Sequence, residues 1–397
     1  MSLDDPDTAQ APVSPDPNSP EHKAKVFITT LLSSIIDQLA QPDGSPSITL
    51  KRRSDRAVFS LHPETGALQC VNPQTCCTYS WPGKTVQESW RFAIILRILG
   101  HISEAIRGDF ISSKRDIYYL DPVYFGSQSV VDRCIDDIAC TIGVDRTALH
   151  VAAAAKGLAV GNFRITFNDD SVVDAGTVAE GMLVPRVETV KGIDISAIRW
   201  ILVIEKEAAF HRLATSNYHR TSAAGQGILI TGKGYPDLST RAFLHLLSHT
   251  TSRPFSASSL PATSGSRPPP IYILVDSDPD GMAIMSTYKY GSRAQSHENN
   301  NLTVPNVQWL GLQASEVVSG LETQDDDVLM PLTLRDRKKA RDMLTRSVIF
   351  AEDGPEPAWR AELQHMLMLN VKAEIEVLYE RGGGIEGWLD RKLRELV

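Results

Sequence analysis

The sequence predicts a mixed α/β protein: a helical segment with a short hairpin, followed by a domain built on a mainly parallel sheet. Three observations carry that reading. Trp200–Ile204 is an unbroken apolar run that ends at Glu205, and residues 271–275 form a second run that ends at Asp276. Short apolar runs of this kind read as strands buried on both faces. With further strands expected at 228–231 and 307–310 and helical stretches between them, the order is that of an α/β sheet. Upstream, helical patterns at 86–107 and 128–142 and a short helix near Arg146 precede two strand-like segments, Arg164–Phe167 and 171–173, joined by Asn168-Asp169-Asp170. Helices followed by a hairpin suggest a winged helix, a helix-turn-helix variant that sets one helix in the DNA major groove.

Composition bounds the answer without choosing it. The 397 residues are 42% hydrophobic and 22% charged, enough for two cores plus a tail. The expected division is a disordered N-terminus at 1–20, an N-terminal helix at 21–45, a winged-helix domain at 46–185 and a sheet domain at 186–397. That last domain has a Ser/Pro-rich insertion at 251–270 and helices at its end. The net charge is −8, which disfavours DNA binding unless basic groups are gathered locally. Such groups occur at Lys51-Arg52-Arg53 with Arg56, at Lys114-Arg115, and from Arg335 to Arg341; the last reads as a solvated face. Five cysteines show no zinc spacing, so reduced thiols in an intracellular compartment are expected. No apolar stretch approaches the roughly 20 residues that cross a bilayer, and a soluble protein without a membrane partner is the expectation.

The chemistry-bearing residues lie far apart in the chain. Lys114-Arg115-Asp116-Ile117-Tyr118-Tyr119 sets two phenols beside a basic pair. Alone, such a pair reads as half-buried packing. A phenol with a pKa of about 10 must be deprotonated as it attacks a phosphodiester, and Arg115 can offset the phosphate charge with paired hydrogen bonds. Glu205, Asp276 and Asp278 fall at the carboxyl ends of the two buried strands, where open α/β sheets bind ligands, and hard carboxylate oxygens there suit one Mg²⁺. Gly232-Lys233-Gly234-Tyr235-Pro236-Asp237 lacks the length of a nucleotide phosphate loop. Lys233 and Tyr235, together with Lys156 ahead of the hairpin, are candidate DNA contacts. Along the N-terminal helix, Val26, Phe27, Leu31, Leu32, Ile35, Ile36 and Leu39 recur at helical spacing. A partner-binding face that includes Phe27, Leu31 and Ile35 weighs comparably there with packing on the chain's own domain.

Together, Arg115-Asp-Ile-Tyr-Tyr119, Lys156-Gly-Leu-Ala-Val-Gly-Asn162, Glu205-Lys-Glu207, the Gly232–Asp237 segment and Asp276-Ser-Asp-Pro-Asp-Gly281 resemble, in order, the family of Spo11 and the archaeal topoisomerase VI A subunit. The resemblance runs from about Val86 to the C-terminus, and the Ser/Pro-rich insertions give it a fungal cast. It implies a winged-helix (5Y-CAP-like) domain followed by a Toprim domain. The implied activity is that of a type IIB topoisomerase-like transesterase, which makes meiotic double-strand breaks and leaves a 5′-phosphotyrosyl link. By the same resemblance Tyr119 is the nucleophile, Tyr118 its packing neighbour and Arg115 the phosphate partner. Glu205, Asp276 and Asp278 are the Mg²⁺ ligands, Asp280 stands at a variable position, and Glu207 is a surface residue. The implied partners are duplex DNA, a second copy when cleaving, so that one protomer's tyrosine meets the other's metal, and a topoisomerase VI B-like subunit held by the N-terminal helix. The implied place is the chromosome in the nucleus. The alternatives are a topoisomerase VI A subunit that relaxes supercoils with an ATPase partner, or a catalytically silent duplex binder.

Overall fold

The computed structural model describes residues 19–52, 58–71, 75–152, 155–250, 267–296, 298–319, 329–380 and 382–396. Most of the expected disordered N-terminus and of the Ser/Pro-rich insertion, together with Arg53 and Arg56, lies outside them. The chain forms two compact units, one of residues 1–57 and 73–152, the other of 58–72 and 153–397.

The first unit is helical. Its longest helix, Val86–Gly108, starts at a Thr85 cap whose side chain accepts from the Glu88 amide. It buries Phe92, Ile95, Leu99, Ile102 and Ile106, a three- and four-residue spacing that makes one apolar face. The helix Gln128–Ile142 supplies the opposing face through Val131, Ile135, Ile138 and Ala139. An antiparallel pair of strands, Ser47–Arg52 and Thr75–Ser80, adds Ile48 and Leu50 to the same core. The N-terminal helix, Pro20–Leu39, packs there as well, burying Ala24, Ile28 and Ile35. Phe27 and Leu31 are partly buried against this core and Ile35 is buried in it, so the helical stripe packs at least in part on the chain's own unit. The apolar side chains left outward are Val26, Leu32, Ile36 and Leu39.

The second unit holds a six-stranded sheet ordered Met182–Leu183, Leu158–Gly161, Gly227–Thr231, Trp200–Ile204, Ile271–Leu274 and Gln308–Gly311. The last four run parallel, and the first two are antiparallel additions at the edge. Strand residues alternate between two cores: Ile201, Val203, Ile228, Ile230, Ile271 and Ile273 face one, while Trp200, Leu202, Ile204, Leu229, Tyr272 and Leu274 face the other. Burial on both faces is why these strands read as continuous apolar runs.

The hairpin expected as a wing exists, Arg164–Phe167 pairing with Val172–Asp174, but Val190–Asp194 joins it as a third strand. Its apolar side chains Phe163, Ile165 and Ala175 enter a core with Ile193, Phe243 and Leu244. The contacts therefore divide the chain at Ala152 rather than at 185, and the hairpin goes with the sheet instead of with the upstream helices. Lys156 likewise precedes a strand of the large sheet, Leu158–Gly161, rather than a wing strand.

Candidate functional site

The tyrosine pair lies on a seven-residue helix, Lys114–Leu120, closed at its start by a capping box in which Ser113 and Asp116 exchange hydrogen bonds of 3.0 and 2.8 Å. Reciprocal capping satisfies two amides that the helix leaves unpaired. Ile117 is fully buried and fixes which side faces inward. Tyr118 is half-buried against the helical core, whereas Tyr119 is 59% exposed. Arg115 sits one turn before Tyr119, its guanidinium 5.6 Å from the ring centroid and its Nη2 3.4 Å from the phenol oxygen. The helix is also held from below. The Lys114 ammonium reaches Asp136 on the Gln128–Ile142 helix and the Asp132 carbonyl at 3.3 Å, and Arg146 Nε lies 3.3 Å from Asp136. Asp136 and Arg146 are buried. Burial, then the Arg146 charge, pulls the Lys114 ammonium below the usual lysine range.

The carboxylates stand at the ends of two adjacent central strands. The chain leaves Trp200–Ile204 toward Gly227–Thr231 and later returns to its other side at Ile271–Leu274, so Glu205 and Asp276 lie at a topological switch point. Glu205 Oε2 accepts from the Asp276 amide at 3.0 Å, and Asp276 Oδ1 accepts from the Ile375 amide at 2.8 Å. Asp278 caps the helix Pro279–Tyr290, accepting from the Gly281 amide at 2.7 Å. A Cβ on Gly281 would stand 2.3 Å from the Asp276 carbonyl, so only glycine lets this helix start so close to the strand end. Burial first, then the charge of Asp276, pushes Glu205 up to about 8; burial raises Asp276 to about 6 and lifts Asp278 in the same direction.

Among the described residues no group of three or more His, Cys, Asp and Glu side chains comes together as a metal-binding group. The expected convergence is therefore partial: Glu205 and Asp276 are joined through a backbone amide, and the Asp278 carboxylate turns to its own helix cap. Crowded like charges take separate backbone donors. The donor set still fits a hard divalent cation. Three carboxylates share one buried sheet end, and Glu205 Oε1 and Asp278 Oδ2 carry no hydrogen bond among the described residues.

Sequence reasoning assigned no role to the groups that surround these acids. The Lys206 ammonium lies 3.4 Å from Asp276 Oδ2, 2.8 Å from Glu374 and 2.6 Å from Glu376. Although burial opposes it, hydrogen bonds to Glu374 and Glu376 raise its pKa above the usual lysine range. Ser277 and Ala373 exchange backbone hydrogen bonds of 2.8 and 3.2 Å, and Lys372 pairs with Asp336 at 2.9 Å. Lys206 lies within the Glu205-Lys-Glu207 segment, but nothing local to it signals partners 168 and 170 residues away.

The remaining predicted residues fall in place as follows. The turn after Gly227–Thr231 takes left-handed backbone at Lys233 and Gly234, with φ of 54° and 83°, and the Gly234 amide donates to the Glu205 carbonyl at 2.9 Å. Lys156 Nζ donates to the Lys233 carbonyl at 3.2 Å, so these two lysines are brought together. Lys233 Nζ pairs with Glu207 at 2.9 Å, and Glu207 is the expected exposed residue at the start of the helix Glu207–Thr215. The Tyr235 hydroxyl donates to Asp280 at 2.9 Å, and Lys339 bonds both of them. Despite burial, Lys339 and Tyr235 hold the Asp280 carboxyl below its ordinary value, which ties it to a cation already present. No described helix is long and apolar enough to cross a membrane.

Comparison with known proteins bears on both units. Residues 200–257 and 266–386 match the Toprim domain of Spo11 and the topoisomerase 6 A-subunit, and residues 90–151 match the type IIB DNA topoisomerase N-terminal family. The chain is 35% identical to human "Meiotic recombination protein SPO11" over 353 residues, 88% of this chain and 82% of that protein. It is 32% identical to fission-yeast (Schizosaccharomyces pombe) "Meiotic recombination protein rec12" over 376 residues, 94% and 96% of the two chains. It is also 32% identical to the A-subunit of DNA topoisomerase 6 from Arabidopsis thaliana over 304 residues, 76% and 65%. A Toprim domain on a parallel sheet, a separate tyrosine-bearing unit and relatives that span nearly the whole chain agree: the chain belongs to the Spo11/topoisomerase VI family of meiotic recombination proteins and type IIB topoisomerase subunits.

Proposed function

We propose that this protein forms meiotic DNA double-strand breaks by transesterification, with Tyr119 as nucleophile. The observation that carries the reading is the tyrosine helix. It is capped and anchored, it turns Tyr118 toward the core, and it presents Tyr119 to solvent beside an exposed arginine. In the step, the Tyr119 phenol gives up its proton and its oxygen forms a bond to a backbone phosphorus. The bond from phosphorus to the 3′-oxygen breaks, and that oxygen takes a proton and leaves as a hydroxyl. Arg115 offsets charge on the non-bridging oxygens. Glu205, Asp276 and Asp278 would hold a divalent ion, Mg²⁺ in this reading, which supplies charge stabilisation at the phosphate and backbone when bound. Lys206 bridges Asp276 to Glu374 and Glu376. Two strands need two tyrosines, so the cutting form is a two-fold dimer on duplex DNA, acting on chromosomes in the nucleus. The upstream helices with the paired strands Ser47–Arg52 and Thr75–Ser80 are the winged-helix element of this reading.

The test is a covalent adduct between full-length protein and a labelled duplex in the presence of partners and Mg²⁺. Tyr119→Phe should bring the adduct to background, and Tyr118→Phe should leave at least about a third of it, less than one kcal/mol of barrier. A reversed result removes Tyr119 as the nucleophile. The match to a topoisomerase 6 protein favours one second reading, resealing with strand passage. Supercoil relaxation with an ATPase partner separates it from break formation.

The partner resembles the B-subunit of topoisomerase VI, and it docks on the outward stripe Leu32, Ile36 and Leu39 of the N-terminal helix. Ile36→Asp should release the partner at least about tenfold while leaving the thermal midpoint within about 2 °C, as an exposed change does. Ile35→Asp, placed in the core, should unfold the first unit. Equal partner affinity in Ile36→Asp and wild type removes this face from the interface.

A further inference from the structure

Beside the acidic site, between the helices Pro279–Tyr290 and Leu334–Arg346, lies a cavity of about 550 Å³. Arg293, Arg335, Lys338, Lys339 and Arg346 line it, with Asp342 among them. The basic run from Arg335 onward, which reads in the sequence as a solvated face, is thus one wall of a concavity. A capping box at Thr333 and Asp336 fixes the start of its helix.

Two of the five cations are matched by carboxylates: Lys339 pairs with Asp280, and Arg346 stands 3.9 Å from Asp342. Arg293 lies 5.4 Å from the Phe59 ring centroid and donates to the Arg346 carbonyl at 2.7 Å. Arg335 and Lys338 form no ion pair among the described residues. Gathering like charges around one concavity works against folding, and it does so here in a chain whose net charge is −8. Such a site focuses a field that attracts an anion. Planar guanidinium groups favour phosphate, which they meet with two parallel hydrogen bonds. The cavity is linked to the acidic segment through one side chain, because the Lys339 ammonium that lines it touches Asp280, two residues from Asp278.

We propose that this cavity is a phosphate-binding site that grips the duplex backbone where it runs on from the acidic site. The inference rests on the DNA-cleaving reading and adds to it a handhold outside the reacting residues. A strand whose phosphate lies at the carboxylates continues over Lys339 toward Arg335 and Lys338.

The test uses the full-length protein with both charges neutralised, Arg335→Gln with Lys338→Gln, at two exposed positions. Duplex binding is titrated over a salt series, and tripolyphosphate is the free-anion probe. The expected result is weaker duplex binding and a log–log salt slope smaller by about two, one per lost phosphate contact. The Mg²⁺-induced thermal shift should be retained, and Arg335→Lys should restore about one unit of slope. An unchanged affinity and slope overturns the proposal. If tripolyphosphate binding is lost while the duplex slope stays, the cavity serves a free phosphoanion and the duplex assignment falls. A wild-type protein that binds no duplex at any salt concentration would instead sink the DNA-cleaving reading.

Discussion

The tyrosine helix and the acidic end of the sheet solve opposite problems. The first holds an exposed phenol oxygen in a fixed place, and it does so locally: a capping box, one buried isoleucine and a lysine salt-bridged to Asp136 all lie within 17 residues of Tyr119. The second must hold several negative charges together away from water, and it draws on residues 71 to 171 positions apart, from Glu205 to Asp276, Ile375 and Glu376. Local scaffolding gives precision at an exposed atom, whereas long-range scaffolding makes charge crowding tolerable. The two regions should therefore fail in different ways.

The largest expected effect is at the buried anchor of the tyrosine helix. Asp136→Asn leaves Lys114 and Arg146 facing each other without their carboxylate, at a cost of about 3–5 kcal/mol. Denaturant unfolding should show that loss, and adduct formation should fall with it, while Mg²⁺ binding at the other unit stays. Equal loss of both functions would break the contrast between the two regions.

Next is the pH dependence of the acidic end. Glu205 is raised from 4.5 to about 8. Its contribution to stability is present below about pH 4.5 and is lost as pH rises toward 8, because the folded site resists ionisation. Without divalent ion, the thermal midpoint should decline across that window, and Glu205→Gln should remove most of the decline. With Mg²⁺ the sign reverses: the cation binds ionised carboxylates, so its stabilising effect should grow with pH. A Mg²⁺ effect that is the same at pH 5 and pH 8 would contradict this site.

The smallest effect is expected at Lys233, whose charge is shared with Glu207. Lys233→Ala should lower the salt slope of duplex binding by about one unit or less and weaken all sequences alike. A drop of two units would mean that the Glu207 pair opens and more than one phosphate contact is lost.

How much of this was legible in the chain follows from the range of the interactions. The helices and central strands could be read because periodicity and β-branched runs are local. Glu205 and Asp276 stood out because each ends such a run. The hairpin was readable as a hairpin but not as part of the second unit, since alternation at Phe163 and Ile165 tells that a face is buried and not against which core. Phe27 and Leu31 show the same limit, for a helical stripe names a face without naming its neighbour. Lys206, Glu374 and the Ile375 amide sit in short motifs that say nothing of their partners, and only folding brings them to the carboxylates. Arg335 and Lys338 look like any charged helix surface until the facing helix turns that surface into a wall.

The hydrogen bond from the Ile375 amide to Asp276 makes one backbone proton a sensor of the acidic site. If Asp276 turns to meet a cation, that proton loses its acceptor or gains a more strongly polarised one. Either change alters its exchange with solvent deuterium and its amide resonance. Ion loading can thus be followed at a single amide in the intact protein, with no DNA cut and no partner added.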